Sequence, residues 1–125
     1  PDVVAIGEIR DREVMEQVMY FAETGHLCIA TIHASTSAQA IDRVVNLFPE
    51  RKHMHVRHQL ASHMLAILAQ RLVPTTNEGL AVAYEVLMNK GLVRQLIEEG
   101  KTEAINDMIA KGSADGMVAM DATLL

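Results

Sequence analysis

Apolar residues along the chain fall into short runs divided by stretches of helical period. Val3-Val4-Ala5-Ile6 is apolar without a break, rich in β-branched residues and closed by Gly7, the texture of a parallel-sheet strand covered on both faces. Asp11 then stands as an N-cap before a helix over 12–23, where Val14, Val18, Phe21 and Ala22 repeat at helical spacing with Met15 and Met19 beside them. Gly25 supplies the stop, and Leu27 to Ile32 is a second strand-like run. Strand, helix and strand within about 30 residues make a βαβ unit with a right-handed crossover. Ser35, Thr36 and Ser37 open a further helix that runs to about Leu47 and ends before Pro49. From there a stripe of Val56, Leu60, Met64, Ile67 and Leu68 predicts one long helix over 50–72. Leu72-Val73, a Pro-Thr-Thr-Asn-Glu-Gly turn and the run 80–88 predict an antiparallel hairpin on the edge of the sheet. After Asn89 come two short helices, 91–99 and 102–110, carrying Leu92, Val93, Leu96 and Ile97, then Ile105, Met108 and Ile109. A Gly-Ser-Ala-Asp-Gly linker leads to the tail.

Composition narrows the class. With 125 residues the chain can build one modest core. Half the residues are apolar but only 3% are aromatic and none is Trp, so that core must be aliphatic, with the eight Met residues as filling. A net charge of -5 gives no global reason to bind nucleic acid. The single Cys excludes an internal disulfide framework and fits a reducing compartment; inside a strand run, Cys28 reads as an inert core thiol. No apolar run approaches the roughly 18 residues that span a bilayer. The chain opens at Pro1 and enters an apolar run one residue later, so it is expected to be a piece of a longer protein.

In open α/β sheets, ligands gather at the carboxyl ends of the strands, which directs attention to Gly7-Glu8. A carboxylate on that rigid edge can orient or deprotonate a water beside a nucleotide phosphate; equally, it can be a solvated loop acid. His26 and His33 stand at the two ends of the second strand, His33 at the end beside Glu8. A histidine near phosphate can donate a hydrogen bond and register its loss, and both can equally be structural. Thr31, Ser35 and Thr36 add hydroxyls at the same edge. Arg10, Arg43 and Arg57 suit a phosphate or a neighbouring subunit, against the plainer option of ion pairs such as Arg10 with Glu13 or Asp42. The crowd of His53, His55, His58 and His63 invites a metal. At about 100° per residue, however, His63 lies about 140° from His58, and no three converge. No Cys or carboxylate pattern completes a zinc set, so no metal site is expected. His63, near the apolar stripe, is expected to be packed or at a subunit contact.

Taken in order, DVVAIGEIRD, AETGHLCIATIHAS and AIDRVVNLFP resemble the type IV pilus retraction ATPases, the PilT/PilU family of secretion ATPases. The first string is similar to that family's Walker B region, with Glu8 on its catalytic glutamate. The second is similar to its His box, with His26 and His33 as the two histidines. GLVRQLIEEG resembles the AIRNLIRE-type retraction motif: Arg94, Leu96 and Ile97 keep the pattern, while Gln95 stands where Asn is usual. GMVAMD resembles the closing GM-x-x-x-D segment. Ile9 replaces a common Met, and 27–32 is closer to the PilU-like branch.

The resemblance spans essentially the whole chain. It implies the C-terminal part of a RecA-like P-loop ATPase core over 1–88, followed by a small helical subdomain over 89–125. It implies ATP and Mg²⁺ as cofactors, held mainly by residues outside this chain, because the G-x-x-x-x-G-K-[ST] loop does not occur here. These 125 residues are therefore half a site and are not expected to hydrolyse ATP alone. In the whole protein Glu8 would orient water, His33 helped by His26 would sense the γ-phosphate, and Arg43 and Arg10 would touch phosphate or an interface. The implied partners are five further copies in a homo-hexamer, the inner-membrane platform of the pilus and a related retraction ATPase, with no nucleic acid. The implied place is the cytoplasm at the inner-membrane base of the pilus, peripheral to the membrane at most. Two other expectations stand beside it. One is a non-hydrolysing or partner-dependent ring subunit. The other is a type II secretion or pilus assembly ATPase, whose usual four-Cys zinc insertion a single Cys argues against. Prepared alone, a severed parallel sheet would expose edges and apolar faces and associate.

Overall fold

The computed structural model describes residues 2–112 and 115–124; Pro1, Leu125 and, in the expected linker, Ser113 and Ala114 lie outside the described residues. Strands β1 (Val3–Ile6) and β2 (Leu27–Ala30) pair in parallel, Val3 opposite Leu27 and Ile6 opposite Ala30. Between them runs α1 (Arg12–Glu23). The Asp11 carboxylate accepts from Val14 N at 2.9 Å, a cap worth about 1 kcal/mol, and Gly25 at φ 98° turns the chain back. Met15, Val18 and Met19 are the buried residues of α1. The two strands are not covered on both faces as their composition suggested. Ile6, Cys28 and Ala30 pack on the core, whereas Val3, Leu27 and Ile29 are exposed. The helices among the described residues cover one face only, so an unbroken apolar run here marks a sheet with a second apolar face.

Helix α2 (Ser37–Asn46) opens within the Ser35-Thr36-Ser37 stretch. Thr36 is its cap, accepting from Gln39 N at 3.1 Å, while Gln39 Oε1 accepts from Ser35 N at 3.0 Å, so the two side chains occupy the helix entrance together. A 3₁₀ turn at Glu50–Lys52 leads into α3 (His53–His63).

The expected long helix over 50–72 does not form. Met64 is extended at φ -69°, ψ 133°, and Ala66–Pro74 is strand β3, antiparallel to β4 (Leu80–Met88) with Ala66 opposite Met88. In β3, Ile67, Ala69 and Val73 turn inward, a period of two that Met64, Ile67 and Leu68 had disguised as a period of 3.6. The helix ends because Asn89 Nδ2 donates to Ala61 O at 2.9 Å and Met64 O at 2.8 Å, capping the last carbonyls from 25 or more residues downstream. The hairpin is longer than expected and forms its own two-stranded sheet rather than an edge of the first. A groove of about 1170 Å³ lined by residues of both β2 and β3 separates the two sheets.

Helices α4 (Val93–Glu99) and α5 (Ile105–Lys111) close the molecule, and the chain then returns to β4. Val118 exchanges two backbone bonds with Val86, and Thr123 Oγ1 binds both Tyr84 N and O. A single apolar cluster joins Val18, Ile41 and Val56 to Leu87, Val93, Ile97 and Ile105, running through the junction at 88–89. Among the described residues no helix is long and apolar enough to cross a membrane.

Candidate functional site

Pairing between the first two strands continues past their formal ends. Thr31 Oγ1 donates to Gly7 O, and Ile9 N donates to Thr31 O at 2.8 Å. These bonds hold the two carboxyl-end segments side by side and face Glu8 toward His33. Glu8 Oε1 lies 2.6 Å from His33 Nε2, and Arg10 Nε donates to Glu8 Oε2 at 2.8 Å. The Glu8 side chain is 27% exposed, against 82% for His33 and 78% for Arg10, so a half-sheltered acid is covered by two cations or donors free to swing away.

The Arg10 hydrogen bond is the main cause of a Glu8 pKa below the usual glutamate value of 4.5. His33, the Arg10 charge and Arg43 act in the same direction, against a partial opposing effect of burial. At neutral pH Glu8 is therefore ionised. Each carboxylate oxygen has two acceptor positions and one protein donor, leaving room for a water. Such an acid is too weak a base to draw a proton from water efficiently, but it can orient one.

Arg43 stands in the last turn of α2, near enough to bear on Glu8 electrostatically. His26 is elsewhere. Residues 27–32, the four of β2 among them, run between it and His33, seven extended steps of about 3.3 Å or on the order of 20 Å. Its Nδ1 sits 3.1 Å from Phe21 O and 3.2 Å from Thr24 Oγ1, and its ring meets Phe21 edge-on, binding the α1–β2 turn together. In α4, Ile97 is fully buried and Leu96 half-buried, so of that trio Arg94 is the exposed one, 3.5 Å from Ser62 Oγ and 3.8 Å from Glu98.

The remaining histidines are dispersed. His53 Nε2 lies 2.8 Å from Phe48 O, His58 pairs loosely with Glu98, and His63 is exposed rather than packed. The Arg57 guanidinium lies against Gly100, where an added Cβ would meet it at 3.1 Å. Arg10 pairs with Glu8, not with the Glu13 or Asp42 its sequence neighbourhood suggested; Asp42 instead accepts from Thr102 Oγ1. One group escaped the sequence reading altogether: Glu85, on an inward row of β4, is 6% exposed and binds Ser37 N at 2.6 Å. An acid at an inward position of an otherwise apolar strand was the signal that could have found it.

Residues 1–117 match the family described as type II/IV secretion system protein. The type IV pilus ATPase PilU of Pseudomonas aeruginosa is 41% identical over 125 residues, covering 99% of this chain and 33% of PilU. The type IV pilus retraction ATPase PilT of the same organism is 34% identical over 124 residues, covering 99% of this chain and 36% of PilT. A crystal structure of the pilus retraction motor PilT with bound ADP matches with a TM-score of 0.76 at 33% identity, over 98% of this chain and 38% of that one. The chain spans about a third of the length of these curated relatives. With its α/β fold matching part of the PilT fold and its sequence matched from residue 1 to 117, this chain belongs to the type II/IV secretion system protein family.

Proposed function

We propose that this chain supplies one wall of the nucleotide site in a ring-forming ATPase motor that powers type IV pilus retraction. The observation that carries the proposal is the 2.6 Å contact between Glu8 and His33 at the carboxyl ends of two paired parallel strands. Similarity to PilU and PilT, and the ADP in the PilT crystal structure, support a nucleotide as the ligand. The donor set fits: Arg10 and His33 contact the acid and Arg43 bears on it electrostatically, so anion-binding groups outnumber the acid. Mg²⁺ fits less well. Among the described residues no three His, Cys, Asp or Glu side chains gather, so this wall contributes one carboxylate at most. Bound ATP with Mg²⁺ supplies a γ-phosphoryl group whose charge is already partly neutralised.

Glu8 holds the attacking water through an oxygen left with a spare acceptor position. Its lowered pKa leaves it charged at neutral pH before nucleotide binds, which suits a role in orienting that water. His33, largely exposed, can leave Glu8 for a phosphate oxygen and return when that oxygen is gone; this makes it the sensing group. Arg10 and Arg43 serve phosphate or the neighbouring subunit. His26 steadies the turn that feeds β2. The site is completed across a subunit boundary in a homo-hexamer at the cytoplasmic, inner-membrane base of the pilus. Residues 1–88 act as the ATPase-core part. Residues 89–125 act as a helical subdomain that meets the membrane platform or a related retraction ATPase through exposed Arg94 and Leu92.

The proposal is tested in a host whose own copy is replaced by the full-length gene carrying Glu8→Gln. Surface pili should be present but twitching absent. Wild-type twitching in that strain would contradict the assignment.

A further inference from the structure

Strand β4 sends Ala83, Glu85 and Leu87 to the interior, at 1%, 6% and 0% exposed. A carboxyl group in this row is costly to bury unless it is bonded. Glu85 Oε1 accepts from the backbone N–H of Ser37, the first residue of α2, across 48 residues of sequence. The first N–H groups of a helix have no partner within it, and Thr36 serves only Gln39 N. The entrance of α2 is thus held twice, once by its own cap and once from the hairpin. Ser37 is itself fully buried, so the link lies out of competition with water.

On one side of that link, Ser37 is four residues from His33. Even a fully extended chain limits that span to about 14 Å. On the other side, Glu85 lies between Tyr84 and Val86, the two β4 residues bound to Thr123 and Val118 of the returning C-terminal segment. The Glu8–His33 contact and the C-terminal segment are therefore connected through one tertiary hydrogen bond, Glu85 to Ser37, with a short covalent stretch on either side: residues 33–37 toward His33, and the neighbours of Glu85 in β4 toward Val118 and Thr123.

We propose that Glu85 is a positioning residue for His33: it fixes the first residue of α2 to β4, so a displacement of β4 by its C-terminal attachments is carried to the histidine that faces Glu8. The proposal rests on the reading of Glu8 and His33 as the hydrolytic pair. In this way a load on the C-terminal segment can alter hydrolysis without touching nucleotide.

The test uses the full-length protein with Glu85→Ala, Glu85→Gln, His33→Ala and the Ala/Ala double variant. Two quantities are measured: steady-state ATP hydrolysis, and the NMR signal of the His33 ring in the absence of nucleotide. Glu85→Ala should lower kcat about tenfold or more while KM for ATP stays within about twofold. Glu85→Gln, whose amide oxygen still accepts from Ser37 N, should restore most of the loss. The double variant should be no slower than His33→Ala alone, because Glu85 acts through His33. The His33 ring signal should move in Glu85→Ala toward its position in Glu8→Gln. An unchanged kcat, losses that multiply in the double variant, or a stationary His33 signal would each overturn the proposal. If Glu85→Ala does not fold, Glu85→Asp, one methylene shorter, carries the same expectations. A wild-type protein that hydrolyses no ATP would defeat the functional reading instead, and the NMR comparison alone would then decide whether Glu85 positions His33.

Discussion

Replacing Asn89 by Ala removes the two hydrogen bonds that end α3, from Nδ2 to Ala61 O and to Met64 O. Each is a neutral bond at a half-buried residue, worth about 1 kcal/mol net, which sets the gross loss at about 2 kcal/mol. The same substitution deletes Asn89 Oδ1, a buried atom with no partner among the described residues, which returns part of that loss. The expected net cost of Asn89→Ala is therefore about 1–2 kcal/mol. Asn89→Asp should be worse, at about 3 kcal/mol. It turns the donor into a second acceptor aimed at two carbonyls, and places negative charge at the negative end of a helix dipole. Urea unfolding followed by circular dichroism separates these values. With a slope of about 1–3 kcal/mol/M, the Ala variant should shift its midpoint by about 1 M and the Asp variant by more. An Ala variant within about 0.5 kcal/mol of wild type, or an Asp variant no worse than Ala, would refute the claim that this amide ends the helix.

The other expectations concern pH and association. The folded pKa of Glu8 is depressed, so its contribution to stability is present above pH 4.5 and is lost as pH falls through the lower folded value. The stability gap between wild type and Glu8→Gln should therefore be present above pH 4.5 and narrow as pH falls below it; a gap independent of pH down to strong acid would contradict this. The 125 residues prepared alone should self-associate, because Val3, Leu27 and Ile29 on one sheet and Leu68, Leu72, Leu80 and Val82 on the other are exposed. A monodisperse monomer in light scattering over a range of concentrations would count against that.

Much of the fold was legible because local chemistry and tertiary packing agree over most of its length. Asp11 caps α1 and Gly25 ends its turn, both as their types require. The reading failed between Met64 and Leu72, where apolar spacing satisfied two periods at once and the deciding group, Asn89, lay far along the chain. For the site, parallel pairing of two short strands was enough to foresee that Glu8 and His33 would be neighbours. That Arg10 would fold back on Glu8 was not foreseeable, since two-residue contacts of this kind depend on how the chain leaves the strand. Resemblance marked Arg94, Leu96 and Ile97 as a group, but only the packed structure tells the exposed Arg94 from the buried Ile97. Glu85 was missed because its one signal, an acid in the inward row of β4, can be read only once the facing of that strand is known.

The most direct measurement is Mg²⁺-dependent ATP hydrolysis by the full-length protein beside Glu8→Gln, with nucleotide binding measured on both. Turnover by wild type, and a Glu8→Gln protein that binds ATP but hydrolyses it at least about a hundredfold more slowly, is the predicted result. A wild-type protein that assembles and binds ATP without hydrolysing it, or a Glu8→Gln protein that turns over normally, would contradict the account.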